Sequence, residues 1–252
     1  MSKKSKRNKS AREIPAATAP AAATAPAPAK SVSRKGLFIG AAILLVAVFV
    51  VATLLYTTGK QESSRQLVQQ NVEALASAHS PAKGPPDARV HIVEFLDPAC
   101  ETCADFYPEV KKLMAEHPGA IRVSMRHVPF HKGSEHVVRI LEAARGQDLY
   151  WQTLEALFAA QDRWTINHAV HVDQVWPALR GVALDQERVG REMNGADIAT
   201  RMERDMADAK ALNVTKTPEF FVNGRPLPRF GLKELRDLVN DEVRKPARGP
   251  GS

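Results

Sequence analysis

Residues 89–103 read RVHIVEFLDPACETC, and this stretch decides the fold class. Arg89–Leu96 is a β-rich apolar run of the kind that forms a buried strand. Asp97-Pro98-Ala99 breaks it. A helix is expected from Cys100, with Phe106, Val110, Leu113 and Met114 on one face, ending near His117-Pro118-Gly119. Ala120–Val128 reads as a second strand. Strand, helix and strand in succession make the unit that gives parallel pairing.

A helical block follows. Val137, Val138, Leu141 and Ala144 form one helical stripe, and Leu149, Leu154, Leu157 and Phe158 another, with Asp148 as its expected cap. More helix is expected around His168–Leu179 and in two segments within Asp185–Leu212. Ile198, Met202 and Met206 recur at helical spacing and read as core. Trp151, Trp164 and Trp176 read as core of the same block. His127, His131, His136, His168 and His171 read as surface or satisfied polar positions. Pro218–Val222, an Asn223-Gly224 turn and Leu227–Phe230 read as a β-hairpin. Leu232–Val243 reads as a closing amphipathic helix.

The chemistry concentrates in Cys100-Glu101-Thr102-Cys103. Cys100 stands at a helix N-terminus, where unpaired N–H groups and the helix dipole stabilise an anion. That lowers a thiol pKa and makes a nucleophile near neutral pH. Cys103 lies one turn on, close enough to bond Cys100 and to resolve a mixed disulfide formed there. Three other readings compete. A structural disulfide across so few residues closes almost no loop. Zinc needs about four ligands, and no second CxxC exists. Copper(I) suits thiolates and thioethers, so a copper site remains an alternative. From spacing alone, Pro218 fits either the first residue of a strand or a cis turn.

The chain has 252 residues, 44% hydrophobic and 25% charged, with 14 Gly and 17 Pro, which excludes a wholly disordered or collagen-like protein. Two cysteines exclude a disulfide-built scaffold. The formal net charge of +7 is a property of the tail. Residues 1–35 hold nine Lys and Arg against Glu13 alone, leaving 26 bases and 27 acids elsewhere. The body therefore offers no footprint for a nucleic-acid backbone. Residues 14–33 are Ala or Pro at 13 of 20 positions, a low-complexity linker. Gly36–Gly59 has no charge, and Leu37–Leu55 is almost wholly Leu, Ile, Val, Ala and Phe. About 20 such residues span a bilayer as a helix. Arg34-Lys35, Lys60 and Tyr56 flank it as anchor residues do. The run is too long for a cleaved signal peptide. The basic tail is expected to stay cytoplasmic, placing the body outside, in an oxidising compartment.

The domains expected are thus a disordered tail over 1–35, a transmembrane helix over 36–58, a stalk over 59–83, a globular domain over 84–245 and a flexible end over 246–252. Within residues 84–243 the chain resembles the thioredoxin superfamily, and within it the membrane-anchored DsbA-like thiol–disulfide oxidoreductases. The resemblance rests on Val93-Glu94-Phe95 ending the strand, on Cys100 and Cys103 opening the helix, and on the VTKTPEFFVNG stretch, residues 214–224. It implies an α/β thioredoxin-like fold with a helical insertion over about 134–212. It implies a cis Pro218 facing the pair, and a Thr217 whose backbone holds an extended substrate peptide. It implies that Glu94 is the buried acid that relays the proton of Cys103; an outward-facing strand carboxylate is the alternative. Strongly oxidising relatives carry histidine just before the second cysteine. Here Thr102 stands there and Glu101 adds negative charge, so a less oxidising pair is expected. The activity implied is disulfide exchange with extracytoplasmic protein thiols, most simply as donor. Alternatives are a reductase or isomerase of the same fold, or a copper-binding protein using the pair as ligands. No haem, flavin or nicotinamide motif is visible, so no cofactor or metal is expected. The partners implied are client thiols and a membrane redox partner, either a quinone-linked oxidase or a thiol reductant. The location implied is the inner membrane, single-pass, with a periplasmic catalytic domain.

Overall fold

The computed structural model describes residues 43–53, 55, 74–75 and 78–245. Residues 43–53 fall in one compact unit and those from 55 onward in another. Residues 43–53 are helical, with exposed apolar side chains such as Leu45 and Phe49. The Thr53 hydroxyl donates to the Phe49 carbonyl at 2.7 Å. No helix among the described residues is long and apolar enough to cross a membrane. The rest of the expected 36–58 span, the 1–35 tail, most of the stalk and 246–252 lie outside the described residues.

The second unit is built on a five-stranded sheet in the order β1-β3-β2-β6-β7. Its strands are β1 (Ala82–Lys83), β2 (Val90–Leu96), β3 (Ile121–His127), β6 (Glu219–Val222) and β7 (Arg225–Pro226). β2 runs parallel to β3 from Val90 opposite Ile121 to Leu96 opposite His127. It runs antiparallel to β6 from Ile92 opposite Val222 to Phe95 opposite Glu219. Helix α1 (Glu101–Glu116) makes the crossover between β2 and β3. Both faces of β2 are covered, which is why it reads as a continuous apolar run and not as an alternating one. Strand periodicity then sorts its side chains. Val90, Ile92 and Leu96 join the larger core with Phe106, Val110 and Leu113 of α1. Val93 and Phe95 join a smaller core on the opposite face with Leu75, Val128, Ala209, Val214 and Phe221. A fully buried Leu or Ile in either core contributes roughly 1.5–3 kcal/mol.

Strand β1 was not expected from the sequence; it pairs antiparallel to β3, Ala82 opposite Ser124. Gly84, at φ +98°, follows it, where a Cβ would stand 2.3 Å from the Ile121 carbonyl oxygen. Only glycine fits that approach. The hairpin is shorter than expected, because the partner strand is Arg225–Pro226 and not Leu227–Phe230. Pro226 and Pro228 have no N–H to extend the ladder.

The helical block comprises α2 (Ser134–Arg145), α3 (Tyr150–Ala159), α4 (Gln161–Trp164), α5 (Val172–Ala178), α6 (Gln186–Glu192) and α7 (Ala196–Ala211); α8 (Leu232–Arg244) closes the chain. A small hairpin, β4 (Thr165–Ile166) and β5 (Ala169–Val170), interrupts the block. Its turn residues Asn167 and His168 both have positive φ, 52° and 59°. Asp148 does not cap α3. It takes a left-handed φ of 58°, and Leu149 is the cap residue, without a side-chain bond. Trp164 is fully buried, its indole donating to the Leu157 carbonyl at 2.9 Å; Trp151 and Trp176 are half-buried against the core. Ile198 and Met202 are buried as expected, but Met206 is 39% exposed. It lies beyond the edge of the stripe that Ile198 and Met202 bury.

Candidate active site

Cys100 is the N-cap residue of α1, extended at φ −81° and ψ 117°. The break before it is shaped by Asp97, whose main-chain oxygen accepts the Cys100 N–H at 3.0 Å. The Asp97 carboxylate is fully buried. One oxygen accepts the Ala99 N–H at 2.8 Å and the Ser134 hydroxyl. The other accepts the His131 N–H at 2.7 Å and its imidazole Nδ1 at 2.8 Å. A buried carboxylate persists when its lone pairs are met this fully. The helical block adds a second clamp. Gln161 donates through Nε2 to the carbonyls of Pro98, at 2.8 Å, and Cys100, at 3.1 Å.

Both cysteines are buried and unbridged. The Cys100 sulfur lies 3.4 Å from the Thr217 main-chain oxygen. Thr217–Pro218 is a cis peptide bond, with Pro218 buried and Thr217 half-buried. Residues far apart in the chain thus meet at one sulfur. The Cys100 thiol is pulled down to about 6, first by a hydrogen bond from the Cys103 side chain. Burial opposes this; Thr217, the Cys103 N–H and the charge of His131 reinforce it. Cys103 goes the other way. Burial pushes its thiol well up, assisted by the hydrogen bond it gives Cys100 and by the charge of Glu94. The two sulfurs are thereby divided into a ready nucleophile and a thiol that holds its proton.

Glu94 is buried on the face of β2 that α1 covers, between Ile92 and Leu96 in the alternation. It is not an outward-facing carboxylate. Its Oε2 has no hydrogen-bond partner. Burial first, and then the negative Cys100, raise it to about 8. An unfolded Glu94 loses its proton near 4.5, whereas the folded one keeps it up to about 8. Between those values the folded chain binds the extra proton, so this contribution to stability is complete below 4.5 and lost as pH rises to about 8. Glu94→Gln is therefore expected to gain stability over wild type as pH rises through that window, by a few kcal/mol. Urea unfolding at mildly acidic and mildly alkaline pH measures it, and parallel pH profiles would refute it.

Glu101 is exposed in the first turn and Thr102 half-buried beside it. The residues that sequence reading missed are Asp97, His131 and Gln161. His131 read as a surface or satisfied polar residue, and it does satisfy itself on Asp97, the residue that also takes the Cys100 N–H. His127 is fully buried, with Nε2 2.9 Å from the Tyr150 hydroxyl. Partners lying 34 to 63 residues apart leave no periodic or motif signal in the chain. Among the described residues, no group of three or more His, Cys, Asp or Glu side chains is arranged to hold a metal ion.

A family model described as Thioredoxin matches residues 76–241. The Na(+)/H(+) antiporter NhaA of Herminiimonas arsenicoxydans is 32% identical over 145 residues, 58% of this chain and 22% of that protein. The chain thus spans about a fifth of the length of the antiporters it matches first. Disulfide bond formation protein D of Bacillus subtilis (strain 168) is 26% identical over 180 residues, 65% of this chain and 77% of that protein. The crystal structure of a thioredoxin-like oxidoreductase from Silicibacter pomeroyi DSS-3 superposes with a TM-score of 0.60 at 30% identity, covering 69% of this chain and 98% of that one.

Proposed function

The chain belongs to the thioredoxin family, and on that premise we propose that it is a protein thiol–disulfide oxidoreductase working as a disulfide donor to extracytoplasmic proteins. The observation that carries this reading is the division of the pair, with Cys100 pulled down to about 6 and Cys103 pushed up. A thiolate that is stable at neutral pH stabilises the reduced form, so its disulfide is the better oxidant.

In the oxidised chain a client thiolate attacks the Cys100 sulfur. The Cys100–Cys103 bond breaks, a client–Cys100 bond forms, and Cys103 leaves with the electron pair. Glu94, protonated at neutral pH, is the group below Cys103 able to return a proton to it. A second client thiolate then attacks the client sulfur of the mixed disulfide, and Cys100 departs as thiolate. Two electrons pass from two client thiols to the pair. Thr217 and Pro218 flank Cys100 and offer main-chain groups to an extended client segment. Exposed Phe130, next to His131 in the chain, and Phe230, tilted against Phe106 with ring centres 5.0 Å apart and lying 5.1 Å from the Lys216 ammonium, give such a segment apolar contact.

The apolar run over 36–58 anchors the domain in the membrane, and the basic tail before it keeps the N-terminus cytoplasmic. The pair then works in an oxidising compartment, recharged by a quinone-linked membrane oxidase. Oxidised full-length chain in detergent, mixed with a reduced unfolded protein, tests the activity. Two client thiols should disappear for each chain reduced; an unchanged thiol count would sink the reading. On intact cells, a membrane-impermeant maleimide applied after mild reduction should label Cys100, and labelling only after lysis would remove the extracytoplasmic placement.

A further inference from the structure

We propose that His131, oriented by the buried Asp97 carboxylate, is the electrostatic partner of the Cys100 sulfur and balances the negative charge that sulfur carries as nucleophile and leaving group. The assignment rests on the exchange chemistry above and deepens it. Cys100 and His131 are fastened to one residue. Asp97 takes the Cys100 N–H on its main-chain oxygen and both the N–H and the Nδ1 of His131 on one carboxylate oxygen, at 2.7 and 2.8 Å. The Nδ1 bond fixes the orientation of the ring.

The turn that carries His131 is held in place. The Val170 N–H donates to the Lys132 carbonyl at 2.9 Å. Gly133, at φ +82°, lies where a Cβ would stand 3.1 Å from the Val170 side chain. Beside the imidazole stand Asp97 from the strand-to-helix turn and His168, whose ring centre is 6.0 Å from that of His131, and the charge of His131 is among the causes that pull the Cys100 thiol down. Only 22% of the His131 side chain is exposed, so its charge acts on Cys100 through little water. Thr102 brings no charge to the pair, and Glu101 brings the wrong sign. When Cys100 leaves the mixed disulfide with the electron pair, the charge that develops is met by a side chain that Asp97 already holds in position.

The test titrates the reduced full-length chain by its far-ultraviolet thiolate absorbance. Wild type is expected to titrate at about 6. His131→Gln removes the charge and keeps an amide that can donate to Asp97. At fixed pH its thiolate-to-thiol ratio should fall about two- to threefold, because His131 is the least of the causes that lower the thiol. Its equilibrium with glutathione should move toward the oxidised pair by about the same factor. His131→Lys restores a positive charge and should recover most of both shifts. An unchanged titration in His131→Gln, or a His131→Lys variant that tracks His131→Gln, overturns the assignment. The titration involves no client, so it separates from the function proposed above. A wild-type thiolate that depends on His131 in a chain unable to oxidise clients would remove that function and leave this assignment standing.

Discussion

Cys103→Ser is expected to accumulate mixed disulfides with client proteins through Cys100, while Cys100→Ser accumulates none. In Cys103→Ser, Cys100 remains a thiolate-prone nucleophile, but no second sulfur one turn on can displace the client. In Cys100→Ser the remaining sulfur is Cys103, fully buried with its thiol pushed up by burial. It neither reaches a client nor ionises near neutral pH. Disulfide transfer to a reduced client should fall about a thousandfold or more in Cys100→Ser, the scale seen when a nucleophile is removed. Non-reducing electrophoresis of extracts, with mass spectrometry of the trapped species, reads the first effect. Loss of client thiols over time reads the second. Mixed disulfides that form equally well through Cys103 would invert the roles assigned to the two sulfurs.

Arg126→Met is expected to destabilise the domain by about 3–5 kcal/mol, because it leaves the buried Asp205 carboxylate without its guanidinium partner. Arg126 is fully buried on β3, on the face opposite α1. Its Nε donates to Asp205 at 2.5 Å, and Nη2 pairs with Asp208. Nη1 donates to the Ala74 carbonyl at 2.6 Å, and the guanidinium lies 5.2 Å from the Phe95 ring centre. Asp205 also accepts the His127 N–H at 2.8 Å and lies 3.0 Å from His79. The network continues on the other face through His127, 3.3 Å from Glu142, and through Arg201, 2.7 Å from the same carboxylate. Burial alone would raise Glu142, but His127 and Arg201 hold it down to about 2. Urea unfolding gives the loss directly. Asp205→Asn added to Arg126→Met should recover part of it by removing the stranded charge. A loss below about 1 kcal/mol would mean that water reaches Asp205 and that the pair works as a surface one does.

The architecture around the site was legible because it rests on local signals. The apolar run ending at Leu96, the break at Asp97-Pro98 and the stripe of Phe106, Val110 and Leu113 place β2 and α1 within a residue or so of their observed bounds. The Asn223-Gly224 turn has the positive φ values, 49° and 79°, that a tight hairpin turn requires. What was misread follows from signals that local pattern does not carry. Helical spacing puts Met206 on a stripe, but how far the stripe is covered depends on what packs above it. Asp148 has the chemistry of a cap, yet the chain there turns through a left-handed residue, which aspartate tolerates. Leu227–Phe230 follows Pro226 and is interrupted by Pro228, and these two prolines end the ladder.

By itself the sequence determined that two sulfurs stand one helical turn apart at the start of a helix, and it left Glu94 open between a buried acid and an outward-facing carboxylate. Short-range periodicity fixes the first relation, since the helix repeat is the same in every fold; burial decided the second. Only the tertiary structure decided what surrounds the sulfurs. It brought Thr217 and the cis Pro218 to Cys100, hung Asp97, His131 and Gln161 on the turn before it, and closed Arg126 over Asp205. Those partners are chosen by desolvation. Once packing removes water from a carboxylate or a guanidinium, it must find its bonds in whichever segment the fold has brought alongside.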